Sequence, residues 1–285
     1  MPRLLVTGAA GRIGRRLRAR LEADGTDASY LVGRPSPIGS RSSVDVADVT
    51  DPDRLDEVVA ARRPEAIIHL ASLTGAQCDA DPLRAAAVNV GAVRSLAESA
   101  ARHGVTRVVL ASTSAVYGDG YCAPVDESGA LVLESLYART KRDAELELAA
   151  AAASSPTLST VVLRIFNVFG PGMADSLANR LLVAPAETPV VLAGLDGFTR
   201  DYIHVDDVVD ALIRASHRST GQASAVVNVG TGRPTSNREL VSALEPVCFT
   251  VGAPRASYSC ADIATARTML GFEPIRVLSR DSVLG

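Results

Sequence analysis

Tyr137 and Lys141, a tyrosine and a lysine four residues apart, form the pair in this chain best suited to proton chemistry. Lys141 is the only lysine among 29 Lys and Arg residues; the other 28 are arginine. That bias would place an arginine here by default. A compact ammonium with three rotatable donors suits tasks that a planar guanidinium does not. Residues four apart on a helix share a face, so the ammonium is expected to favour the phenolate. A tyrosine so placed can act as acid or base near neutral pH. Ser112, Thr113 and Ser114 add hydroxyls after the apolar run Val108-Val109-Leu110-Ala111, at what should be the carboxyl end of a buried strand. Ligands of open α/β sheets bind at that edge.

A second constellation opens the chain. Thr7-Gly8-Ala9-Ala10-Gly11-Arg12-Ile13-Gly14 lies between an expected strand and an expected helix. Glycines at 8, 11 and 14 allow a tight turn, close backbone approach to a pyrophosphate, and close helix–strand packing. The helix N-terminus supplies amides for the phosphates. Ala10, Arg12 and Ile13 belong to the same cradle. The second strand ends Tyr30-Leu31-Val32-Gly33-Arg34, without the acid that would hold an NAD ribose. Arg34 and Arg12 instead predict a preference for NADP over NAD. Asp48 and Val49 follow the third strand, where an acid could accept from the adenine amino group.

These groups need a scaffold, and the hydrophobic pattern supplies one. Strands are expected at 4–7, 28–32, 43–46, 66–71, 107–112 and 160–165, and helices at 12–23, 52–62, 82–103 and 136–153. Strands apolar throughout and separated by helices imply a parallel sheet covered on both faces. The expected fold is α/β: a Rossmann-type doubly wound parallel sheet over residues 1–170, with a segment near 200–230 returning to it. Residues 171–285, broken by Pro185, Pro189, Gly194 and Gly197, are expected to form mostly a small substrate-binding lobe.

Composition narrows the partners. A net charge of -3 with 21% charged residues offers no polybasic surface, which argues against nucleic acid and anionic membrane. The absence of Trp and 4% aromatics argue against a base-stacking platform. No apolar run is long enough to span a bilayer, and the N-terminus has no signal-peptide layout. Four scattered cysteines, Cys78, Cys122, Cys248 and Cys260, read as reduced thiols of a cytoplasmic protein. Neither they nor the four histidines show metal-ligand spacing.

With Tyr137 and Lys141, further motifs carry a resemblance: Ile68-His69-Leu70-Ala71, Asn89-Val90-Gly91, Leu163 to Gly172, Arg200 to Val208, and Asn228-Val229-Gly230-Thr231-Gly232. The chain resembles the extended short-chain dehydrogenase/reductase family, in its nucleotide-sugar epimerase/dehydratase branch. The resemblance implies that Tyr137 exchanges a proton with a substrate oxygen, that Lys141 holds the nicotinamide ribose and lowers the tyrosine pKa, and that Thr113 bonds the same oxygen. Ser112 and Ser114 are its neighbours, Ser112 assigned to the cofactor and Ser114 to the substrate. Leu70, Ala71, Ser72, Phe166 and Val168 match cofactor contacts. Asn89 is placed with them, bracing the backbone beneath the site. Asn167 and Arg200 match positions that hold nucleotide-sugar phosphates, joined by Asn179 and Arg180. Asp206, Asp207, His204 and His69 read as structural. A homodimer through the helices near 82–103 and 136–153 is common in the family.

Departures refine the expected function. Sugar 4,6-dehydratases of this family place Asp-Glu after the catalytic threonine; Ser114-Ala115 stand here and cannot move a proton for water elimination. The acid-free strand tip and a short C-terminal portion favour an NADPH-dependent ketoreductase of a nucleotide-linked 4-keto-hexose. A nucleotide-sugar C-4 epimerase with tightly bound NAD is the alternative. A non-catalytic NADP-sensing regulator is a third, though it would not need Tyr137, Lys141 and Thr113 together.

Overall fold

The structure, a computed structural model, describes residues 1–34 and 43–285. Seven parallel strands form the central sheet. Six are Leu4–Thr7 (β1), Ala28–Val32 (β2), Val44–Val46 (β3), Ala66–His69 (β4), Arg107–Thr113 (β5) and Ser159–Ile165 (β6). The seventh, Ser224–Val229, returns from the C-terminal half to pair with β6. The spatial order is β3-β2-β1-β4-β5-β6 and then Ser224–Val229. The order reverses at β1, and a ligand crevice opens at such a switch point.

Both faces of the sheet are buried, which is why its strands are apolar throughout. Leu4, Val6 and Ile68 face a core shared with Leu17 and Leu21 of helix Arg12–Ala23 and Val208 and Leu212 of helix Val205–His217. Leu5, Ile67 and Leu110 face the other way, onto Leu55, Leu96 and Leu148 of helices Pro52–Arg62, Ala92–Arg102 and Leu136–Ser154. A third cluster, including Phe169, Leu181, Leu192, Tyr202 and Leu244, underlies segments beyond the sheet. There Phe198–Arg200 pairs with Thr235–Ser236 and Ser257–Ser259, and Val190–Leu192 pairs with Phe249–Val251.

Two expected elements differ. β4 ends at His69 rather than at residue 71, because Leu70 and Ala71 leave the sheet and pass against the glycine turn. A Cβ on Gly8 (φ +69°) would lie 2.5 Å from the Ala71 amide nitrogen. The helix expected at 82–103 is interrupted. Pro82–Ala86 runs into a π turn at Ala87–Gly91 before Ala92–Arg102 continues. Such a turn inserts an extra residue and re-aims a side chain; here it directs Asn89 inward.

Candidate active site

A cleft of about 1030 Å³ runs along the carboxyl edge of the sheet, from the glycine turn to the segments around residues 190–202. It brings together Gly8, Gly11, Arg12, Ile13, Gly14, Leu70, Ser72, Ser112, Thr113, Tyr137 and Lys141 on one side. Phe166, Asn167, Val168, Arg180 and Arg200 complete it on the other. Ala10, Arg34, Asp48, Val49, Ala71, Asn89, Ser114 and Asn179 are not in its wall.

The glycine turn fits a dinucleotide. Gly11 caps helix Arg12–Ala23 without a side-chain hydrogen bond, and the first turn has no acid. Its leading amides therefore remain available to an anion. A side chain on Gly14 would collide with the backbone of Gly8 and Ala9, so only glycine permits this approach of helix to strand. Arg12 forms an ion pair with Asp175, which also lines the cleft, whereas Arg34 lies outside the cleft wall. Asp48 accepts from the Thr50 amide at 3.0 Å and pairs with Arg84 at 3.1 Å.

The candidate catalytic residues assemble around Tyr137. Ser135 starts its helix by accepting from the Ala138 amide at 3.1 Å, and the next turn carries Lys141. Thr113 ends β5; its hydroxyl accepts from the Ala115 amide at 3.2 Å and hydrogen-bonds Tyr137. Ser112 points elsewhere, donating to the buried Glu145 at 2.6 Å. Of the three adjacent hydroxyls, only that of Thr113 is shown bonded to the tyrosine.

One electrostatic expectation is corrected. Burial pushes the Tyr137 phenol up to about 12, against the Thr113 hydrogen bond that pulls it down. Lys141 does not offset this. Its ammonium donates to the Ala111 carbonyl at 2.7 Å. Burial brings it down to about 8, with Glu145 opposing. Desolvation, absent from a helical-face argument, outweighs the one-turn spacing.

Several neighbours serve as braces. Asn89 accepts from the Leu73 amide at 2.8 Å and from Ser72 at 3.0 Å, and donates to Thr140 at 3.0 Å. It thus ties the loop after β4 to the tyrosine's helix. Asn179 grips both backbone groups of Gly170 (2.9 and 3.3 Å) and accepts from Ser176 at 2.6 Å. It fastens the cleft loop instead of facing a substrate. His69 hydrogen-bonds Thr7 at 2.8 Å; burial drives it down to about 3 and keeps it neutral. His204 accepts from the Asp206 amide at 3.1 Å as a helix cap. Asp206 and Asp207 pair with Arg16 and Arg276, each at 2.6 Å.

Two features escaped the sequence reading. Glu145 lies two turns beyond Tyr137 on the same helix. It accepts from Arg164 at 3.1 and 2.8 Å and from Arg142 at 3.0 Å. Arg164 in turn donates to the Tyr117 hydroxyl at 2.9 Å. The spacing 137, 141, 145 was a usable signal; the partner on β6 had none. The second is Asp201, wholly buried, which accepts from the amides of Thr231 (2.8 Å), Gly232 (2.9 Å) and Ala261 (3.2 Å). Beside it Arg200 reaches Asp119 at 3.2 Å and lies over the Phe198 ring. Arg180 is exposed at the cleft.

Comparison with known proteins agrees with this geometry. Residues 4–230 match the NAD dependent epimerase/dehydratase family. A UDP-glucose 4-epimerase of Mycolicibacterium smegmatis is 36% identical over 95% of this chain and 93% of its own. A structure described as MoeE5 in complex with UDP-glucose and NAD superposes with a TM-score of 0.86 at 33% identity, covering 98% of this chain and 95% of that one. A UDP-glucose-4-epimerase of Stenotrophomonas maltophila, with bound NAD and formylated UDP-arabinopyranose, gives 0.89 at 26% identity, covering 100% and 97%. The chain therefore belongs to the NAD-dependent epimerase/dehydratase family, within the nucleotide-sugar branch of the extended short-chain dehydrogenases/reductases.

Proposed function

We propose that this enzyme interconverts C-4 epimers of a UDP-linked hexose with a retained NAD. The observation that carries the reading is the near full-length similarity to UDP-glucose 4-epimerases, joined to a cleft that holds Thr113, Tyr137 and Lys141 between the glycine turn and two arginines. The similarity favours this reading over the ketoreductase expected from the strand tip. The Arg12–Asp175 ion pair also lies across the crevice, an arrangement suited to a cofactor that stays.

Gly11, Arg12, Ile13 and Gly14 would hold the pyrophosphate, and Lys141 the nicotinamide ribose. Bound nicotinamide supplies reversible hydride acceptance. The positive charge of a bound oxidised nicotinamide would favour the Tyr137 phenolate, which takes the proton of the sugar hydroxyl and later returns it. Thr113 orients the same oxygen, and Asn167, Arg180 and Arg200 bind the diphosphate. We further place two copies in a homodimer through Leu83 and Leu146, 85% and 51% exposed on the helices expected to pair.

Purified enzyme should interconvert UDP-hexose epimers with no added cofactor, followed by proton NMR of the anomeric signals. If epimers never interconvert, and NADPH is consumed with a nucleotide-linked 4-keto sugar, the ketoreductase reading replaces this one.

A further inference from the structure

The cleft's end remote from the glycine turn is bordered by residues 191–193, Phe198 and Asn237. Asn237 is 1% exposed, and its Nδ2 donates to the Gly194 carbonyl at 2.8 Å. A carbonyl can only accept, so that bond fixes which corner of the amide is nitrogen. The other corner, Oδ1, is buried and has no hydrogen-bond partner among the described residues. Buried acceptors are ordinarily satisfied. One left open beside a substrate cleft suits a donor that arrives with the substrate.

Two neighbours say which part of the substrate that is. The antiparallel register pairs Thr235 with Arg200 and Ser236 with Thr199. Asn237 thus follows on from the phosphate-binding arginine, roughly 7 Å along the ribbon. Next to it, Val190–Leu192 is paired, among the described residues, on one side only, with Phe249–Val251. The Val190 amide and the Leu192 carbonyl serve that partner, at 3.2 and 2.8 Å. Parallel strands engage alternate residues, so the N–H and C=O of Val191 face the open edge.

We propose that Asn237 reads the nucleobase, its Oδ1 accepting the ring N3–H of uracil or thymine while the Val191 amide meets a flanking carbonyl. This rests on the nucleotide-sugar reading above. Cytosine presents a lone pair at N3, and the amide cannot turn to meet it without losing Gly194. Adenine presents an acceptor at N1 and is refused on the same ground.

The test is calorimetric titration of UDP and CDP into the cofactor-loaded enzyme and its Asn237→Leu and Asn237→Thr variants. Wild type should prefer UDP by roughly 10- to 100-fold. Both variants should lower that ratio to about threefold or less by weakening UDP alone. A substitution that only loosens the fold would weaken both nucleotides and preserve the ratio, which overturns the role of Asn237. Wild type binding CDP as tightly as UDP overturns base reading and leaves the epimerase reading standing. Binding of neither nucleotide overturns both.

Discussion

The ammonium of Lys141 is bonded to the carbonyl of Ala111 at 2.7 Å, inside the end of β5 and out of contact with solvent. Burial holds its pKa near 8, below the ordinary 10.5. Between those values the unfolded chain binds a proton that the folded one does not. Carrying the charge therefore costs stability below pH 8, and the cost fades as pH rises towards 10.5. Lys141→Met should abolish turnover while its urea midpoint at pH 7 equals or exceeds that of wild type. A midpoint clearly below wild type would contradict this.

In the proposed reaction Tyr137 and Thr113 act on one proton, so their removal should affect the chemical step and spare binding. Tyr137→Phe is expected to lower kcat by about 10³-fold or more, and Thr113→Ala by about 10- to 100-fold. Nucleotide affinity, measured by titration, should change little in either. Retained turnover in Tyr137→Phe would instead remove Tyr137 from the proton transfer.

The Glu145–Arg164 pair is almost fully buried on both sides. Removing one partner leaves an uncompensated charge; removing both does not. Glu145→Leu should destabilise the protein by about 3–5 kcal/mol in urea unfolding. The double variant Glu145→Leu/Arg164→Met should recover much of that loss.

His69 is held neutral, with a pKa near 3 against an ordinary 6.5. Between pH 6.5 and 3 the unfolded chain binds the extra proton, so stability is lost as pH falls through that window. The slope should be on the order of 1 kcal/mol per pH unit. His69→Asn should flatten it, as read from unfolding at pH 5 and pH 7.

Relatives hold NAD, and Arg12 is engaged by Asp175. Arg34 lies just past the strand tip, where a guanidinium favours the extra phosphate of NADP. Titration should show NAD binding at least as tightly as NADP, and Arg34→Ala should weaken NADP alone. A tenfold preference for NADP in wild type would restore the expectation drawn from the acid-free tip.

Much of the scaffold was legible because local signals agree. Leu4–Thr7, Arg12–Ala23, Ala28–Val32 and Pro52–Arg62 begin and end where expected; the strands are apolar runs and the helices have one buried face, each followed within two residues by glycine, aspartate or proline. The interruption at Ala87–Gly91 was not legible, since Ala85 to Val90 has ordinary helical character; the pull on Asn89 comes from Leu73 and Thr140, distant in sequence. The motifs named residues that the cleft brings together, Thr113, Tyr137 and Lys141 among them, but not their electrostatics. Whether a phenol sits at 10 or 12 depends on what covers it, and that is a tertiary fact. Asn179 misled because its partners, Gly170 and Ser176, sit in a loop whose closure no periodicity reveals.

Arg200 is followed directly by Asp201, and that carboxylate is clasped by amides 30, 31 and 60 residues downstream. The aim of the Arg200 guanidinium is thus tied to two further stretches of chain, at 231–232 and at 261, far apart in the gene. A laboratory seeking to retarget the enzyme to another sugar could not transplant one loop and keep the aim of Arg200. The smallest movable piece spans all three stretches, and recombination breakpoints should succeed only outside 200–261.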